Sequence, residues 1–204
     1  MVRTPVLPER NTLLLELPKT IKLRVTQEQF EALAATNREL QLERTAEGEL
    51  IVNPPTGWKT GEQNSCISGE LYLWWRNAAQ PGKVFDSSTG FILPNGANRA
   101  PDASWVSPER CHALTEEKKG AFARICPDFV VELRSNSDTM QSLREKMQEY
   151  MENGARLGWL INPKTKTVEV YRVGLDVEIL SNPTELSGAE ILSGFVLDLR
   201  RVWG

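Results

Sequence analysis

Histidine is nearly missing from this chain, with one residue, His112, among 204. A metal centre built on several imidazoles is therefore impossible, and a Ser-His-Asp triad would have to use that single residue. His112 lies between Cys111 and the polar run 115–119, which reads as a surface loop, and no nucleophile elbow is present, so a serine hydrolase is set aside. Cysteine is scarce too. Cys66, Cys111 and Cys126 form no CxxC pair, which excludes a zinc ribbon and a disulfide framework. No run approaches the roughly 18 apolar residues of a membrane span. Residues 1–11 lack a signal-peptide hydrophobic region and read as a short tail. A cytoplasmic protein with reduced thiols and no membrane partner is expected. Basic charge is not in excess either: a net charge of −3 argues against binding nucleic acid by bulk electrostatics. It leaves room for a cleft whose acids cluster around a metal. Helix-turn-helix and zinc-finger readers, internal repeats and low-complexity segments are also lacking.

What is present is the composition of a globular domain, 40% hydrophobic and 25% charged. Residues 12–17 and 21–25 are short apolar stretches around Pro18 and suggest a strand pair. Thr26 with Gln29 makes a capping box that opens a helix with Phe30, Leu33 and Ala34 on its apolar face. Residues 40–44 and 49–52 alternate around Ala46-Glu47-Gly48 as a hairpin. After Pro54-Pro55-Thr56-Gly57, helical spacing predicts a long helix over 61–79 with Ile67, Leu71, Trp74, Trp75 and Ala78 inward. Short strands follow at 83–86, 90–93 and 103–106, then a short helix near 115–121. The best strand covers 129–133. A helix over 138–153 stops at Gly154, with Met140, Leu143, Met147, Tyr150 and Met151 on one face. Strands at 157–161 and 167–171 and weaker pieces at 177–180, 191–192 and 195–199 complete the chain. This order predicts an α/β domain with a mixed sheet flanked by helices. Residues 1–56 would be an extension packed on a core at 57–204.

Two carboxylates conflict with this pattern. Asp102 and Glu132 sit on or beside segments that otherwise read as buried strands, where an ionised carboxylate is costly unless paired or metal-bound. Hard cations such as magnesium or manganese take oxygen ligands, and one or two carboxylates suffice when water and phosphate fill the other positions. If the two strands are neighbours, Asp102 and Glu132 meet at one sheet edge and the Leu133 carbonyl can add a ligand. Lys146, at the edge of its helix stripe, could bring an ammonium there along an apolar stem. Phosphodiester hydrolysis needs no histidine with such a set. The bland alternatives are a turn role for Asp102, an ion pair of Glu132 with Arg134, Lys146 or Arg99, and a solvated Lys146. Asp128 shares the Pro-Asp context of Asp102 and is given no metal role.

Pro101-Asp102 followed by Glu132-Leu133-Arg134 resembles the PD-(D/E)xK signature of restriction-endonuclease-like nucleases. The strings Pro127-Asp128-Phe129-Val130-Val131-Glu132-Leu133-Arg134-Ser135, Lys146-Met147-Gln148-Glu149-Tyr150 and Gly154-Ala155-Arg156-Leu157-Gly158-Trp159-Leu160-Ile161 resemble the Uma-type family within that superfamily. The resemblance implies an αβββαβ core, magnesium dependence with manganese as a substitute, DNA as substrate and a homodimer. It implies Asp102 and Glu132 as metal ligands and places the catalytic lysine at Lys146, because Arg134 fills the signature lysine position. Arginine can hold a phosphate there but cannot lose a proton near neutrality. Glu70 would be an acidic helper from the preceding helix, with Tyr150 and Ser135 at the site edge. The alternative is an inactive nuclease-fold module acting in nucleic-acid binding or protein assembly.

Overall fold

The computed structural model describes residues 21–79, 81–115, 122–189 and 191–204. Helix α1 (Gln27–Thr36) opens on the expected capping box: Gln29 N–H donates to Thr26 Oγ1 and Thr26 N–H donates to the Gln29 side chain. Strands β1 (Gln41–Arg44) and β2 (Leu50–Asn53) form the hairpin, in antiparallel register from Gln41↔Asn53 to Arg44↔Leu50. The expected strand at 21–25 is reduced to one bridge, Arg24↔Glu49, and residues 12–17 lie outside the described residues.

Helix α2 (Trp58–Asn77) begins three residues earlier than its apolar spacing predicts, because Gly57 caps it from an extended conformation. Ile67 and Leu71 are buried on its inner face, and Trp74 packs against Trp105 and Phe195. Ala78 is not part of that face. It caps the helix and is exposed.

Strands β3 (Lys83–Asp86), β4 (Phe91–Ile92), β5 (Asn98–Arg99) and β6 (Ala103–Val106) come next. β5 was not expected; it joins β4 to the hairpin in a four-stranded sheet ordered β2-β1-β5-β4. Helix α3 (Pro108–Ala113), capped by Ser107, was not expected, and the helix expected near 115–121 falls on residues 116–121, which lie outside the described residues.

β7 (Phe129–Leu133) and β8 (Leu157–Asn162) pair in parallel, with helix α4 (Met140–Glu152) as the crossover. Both strands are buried along their whole length, which explains their continuous apolar runs. With β9 (Thr167–Arg172) and β10 (Glu178–Ser181) they complete a mixed six-stranded sheet ordered β10-β9-β8-β7-β6-β3. β11 (Glu185–Ser187), unexpected from the sequence, pairs with β12 (Val196–Asp198), and α5 (Arg200–Trp203) ends the chain. The apolar pair Ile191 and Leu192 lies in a turn, not a strand.

Two cores flank the large sheet. α2 and the C-terminal elements cover one face with Phe129, Val131 and Leu133 of β7, while α4 covers the other with Val130. Strand alternation therefore sends Glu132 to the α4 side. α4 lies close on that face: a Cβ at Gly158 would stand 2.3 Å from Met147 Cε. Gly154, at φ +103°, ends the helix in the left-handed region as expected.

Candidate functional site

A cavity of about 760 Å³ opens where the hairpin, the N-terminal end of α2, the β5–β6 link and the first turns of α4 converge. Asp102, Glu132, Leu133, Ser135 and Lys146 all line it. β6 and β7 are antiparallel neighbours, with Ala103 opposite Val131, which brings Asp102 to the end of β7. Asp102 Oδ2 accepts the Leu133 N–H at 2.7 Å, and Asp102 Oδ1 accepts the Asn64 amide at 2.9 Å.

Glu132 is buried, and its Oε1 takes both the Lys146 ammonium at 2.9 Å and the Tyr150 hydroxyl at 3.0 Å. Lys146 and Tyr150 are one turn apart on α4, so one helix face delivers both donors to one carboxylate oxygen. The ion pair of Glu132 with Lys146 and the meeting of the two acids are thus both present. Lys146 is no solvated lysine: its side chain is 14% exposed.

Sequence reasoning missed two members of the site. Glu43, on β1 and 3% exposed, binds Lys146 Nζ at 2.8 Å with Oε1 and accepts the Ala100 N–H at 2.8 Å with the same atom. Arg99 lies 3.5 Å from Glu43 Oε2 and is itself paired with Glu149. Asn64 is the second. A signal existed for it: Thr60 and Asn64 continue the inward stripe of Ile67 and Leu71 toward the helix start, replacing apolar residues by polar ones. Glu43 carried no such signal, since Gln41-Leu42-Glu43-Arg44 reads as an ordinary half-exposed strand.

Two expected members lie elsewhere. Glu70 is paired with Arg201 at 3.4 Å and does not line the cavity. It sits about 9 Å farther along the α2 axis than Asn64, at a rise of 1.5 Å per residue. Arg134 is also outside the lining. Its N–H continues along β8 by donating to Ile161 O, and its guanidinium donates to Asn162 Oδ1 at 3.4 Å. Ser135 stands at the rim, its N–H donating to Asp138 Oδ2. Tyr150 is fully buried behind Glu132. Asp128 is structural: it accepts from Ser107 N–H at 2.8 Å and pairs with Arg110 and Arg156.

Burial dominates the electrostatics. It pushes Glu132 up to about 8 against the pull of Lys146, with the charges of Asp102 and Glu43 adding to the rise. Burial likewise holds Asp102 above the usual carboxylate range despite the Leu133 N–H and Lys146. Glu43 is opposite in sign, because Lys146 and Arg99 together outweigh the cost of its burial. Burial would lower Lys146, but Glu132 and Glu43 keep it above the ordinary lysine value, so it stays an ammonium.

Among the described residues, no three His, Cys, Asp or Glu side chains are grouped to hold a metal. Asp102 and Glu132 would do so as a pair, which is enough for a hard cation. The donor set fits: it is all oxygen, and the Asn64 Oδ1 beside Asp102 is buried without a hydrogen-bond partner. The lining as a whole is acidic, with eight carboxylates (Glu43, Glu47, Glu49, Asp102, Glu132, Asp138, Glu145, Glu149) against Lys22, Arg99 and Lys146.

No helix among the described residues is long and apolar enough to cross a membrane. No curated protein matches the chain. A crystal structure of "a putative nuclease belonging to DUF820 from Anabaena variabilis ATCC 29413" is similar, with a TM-score of 0.69 over 81% of this chain and 90% of that one. At 21% identity the likeness shows the fold, a mixed α/β domain with a mixed sheet. The Uma2 family model, described as "Putative restriction endonuclease", matches residues 27–200, so this chain belongs to the Uma2 family.

Proposed function

We propose that this protein is a metal-dependent endonuclease that hydrolyses phosphodiester bonds in DNA. The observation that carries this reading is the convergence of Asp102, Glu132 and Lys146 on one cavity from three separate elements. The succession α2, β3, β6, β7, α4, β8 supports a restriction-endonuclease-like αβββαβ core, with the acids at the β6–β7 pair. Asp102, Glu132, the Leu133 carbonyl and the Asn64 amide oxygen would hold a magnesium or manganese ion. Such an ion supplies polarisation of a phosphoryl oxygen and a lowered pKa for the attacking water.

The protein's own groups then have distinct tasks. Lys146, held protonated by two carboxylates, serves as an electrostatic donor to the negative charge that develops on phosphorus-bound oxygen, and not as a base. Tyr150 orients Glu132 through Oε1 and leaves Oε2 facing away from that bond. Asn64 and the Leu133 N–H fix both oxygens of Asp102. Arg134, whose guanidinium meets Asn162 outside the cavity lining, is given no task.

Purified protein should nick plasmid DNA with Mn²⁺, and Asp102→Ala or Glu132→Ala should abolish both nicking and Mn²⁺-dependent thermal stabilisation. Full activity in either variant would refute the assignment. The carboxylate excess of the lining favours one rival, an inactive module of the same fold. That module should show no Mg²⁺- or Mn²⁺-dependent rise in melting temperature, whereas a selective site stabilises by mass action.

A further inference from the structure

Resting on this metal-site reading, we propose that Glu43 is a positioning residue, the anchor that keeps the Lys146 ammonium when a divalent cation takes up Glu132. Lys146 Nζ is held almost equally by Glu43 at 2.8 Å and Glu132 at 2.9 Å. A cation on Glu132 repels an ammonium bound to the same carboxylate. If Glu132 were the only partner, the ammonium would have to remain buried and unpaired or leave the site, and the first is costly. Glu43 removes that choice. Its own position is fixed by the Ala100 N–H, two residues before Asp102, and by Arg99. It is therefore tied to the same link that presents the other metal ligand.

Charge counting leads to the same residue. When all three are ionised, Asp102, Glu132 and Glu43 carry three negative charges, which one ammonium and one divalent cation neutralise, while Arg99 and Glu149 cancel each other. Without Glu43 the loaded site keeps one surplus positive charge in a buried place. Without both Glu43 and Lys146 it is balanced again.

The test is a double-mutant cycle read by isothermal titration of Mn²⁺ into the metal-free full chain. Glu43→Gln, which keeps an oxygen for the Ala100 N–H, should weaken Mn²⁺ at least about tenfold, as one uncompensated unit charge a few ångström away requires. Lys146→Met alone should bind as tightly as wild type or tighter. The combined variant should return to within about threefold of wild type, since one loss compensates the other. A purely structural Glu43 predicts a combined variant no better than Glu43→Gln, and that result overturns the proposal while sparing the metal site. An unchanged affinity in Glu43→Gln does the same. If Glu43→Gln fails to fold, Lys146→Met still decides: a tenfold loss in that variant overturns the proposal. Absence of Mn²⁺ binding in wild type overturns the metal-site reading and this inference with it.

Discussion

Replacing Glu132 by glutamine should change how stability depends on pH, in a direction that its environment fixes. Burial sets the folded carboxyl near 8, against an ordinary value of 4.5. Between those values the folded protein holds a proton that the unfolded chain has released. The proton-linked stability is therefore complete below about 4.5 and is lost as pH rises through about 8. The slope approaches 1.4 kcal/mol per pH unit within that window, so the wild-type protein should lose about 2 kcal/mol from pH 6 to pH 8 through this group. Glu132→Gln copies the protonated side chain and cannot ionise. It should match wild type near pH 5 and exceed it by about 3.5 kcal/mol at pH 8.

Of the other shifted groups at the site, Asp102 is also raised by burial, but it is present in both proteins and its slope appears in both curves. Glu43 is held low and acts only on the acid side, while burial and the charge of Glu132 move Tyr150 above its ordinary value of 10. Urea unfolding in EDTA at pH 5, 6, 7 and 8 gives the measurement. With a urea slope of about 2 kcal/mol/M, the midpoints of the two proteins should separate by roughly 1.8 M at pH 8. Parallel midpoints across the range would sink the claim that burial keeps Glu132 protonated.

Asp128→Asn should cost about 2 kcal/mol in urea unfolding, because it strips a fully buried charge from Arg110 and Arg156. Its Mn²⁺ affinity should stay at the wild-type value, and a selective loss of metal would add Asp128 to the candidate ligands. Glu70→Ala should change stability by less than about 0.5 kcal/mol, since its pair with Arg201 is solvent-exposed. DNA cleavage by Glu70→Ala should also equal wild type. A well-folded but inactive Glu70→Ala protein would bring back the helper role that the geometry removes.

The parts of the fold that sequence revealed are those decided by neighbours along the chain. The capping box of Thr26 and Gln29, the apolar run of β7 and the α4 stripe of Leu143, Met147 and Tyr150 all follow from local spacing. The same local rules placed Lys146 at the edge of its stripe, within reach of Glu132. Glu43 could not be found that way. Its burial depends on β1 meeting β5, a single register pair, Arg44↔Asn98, between segments more than fifty residues apart. β5 itself is only two residues long and has no strand signature without that partner. Glu70 failed for a geometric reason: any α2 residue near the inward stripe looked eligible until the site was fixed at the helix's first turns, where Asn64 stands.

The distribution of charge gives the proposed reading an order of events. Eight carboxylates around the cavity repel a phosphodiester, and the cations that line it are already engaged: Lys146 by Glu43 and Glu132, Arg99 by Glu43 and Glu149, Lys22 by Glu49. None of these three is free to serve as a phosphate hook in the state described. Asp102 and Glu132 would hold a divalent cation there, whose two positive charges would offset part of the acidic lining and weaken the hold of Glu132 on Lys146. Lys146 would then turn from an internal counter-ion into a group able to face a phosphate. On this reading the acidic lining is the reason the metal must come first. The arginine at the signature position would then cost nothing, because the positive charge acting on phosphate would come from Lys146 of α4 after the cation had bound.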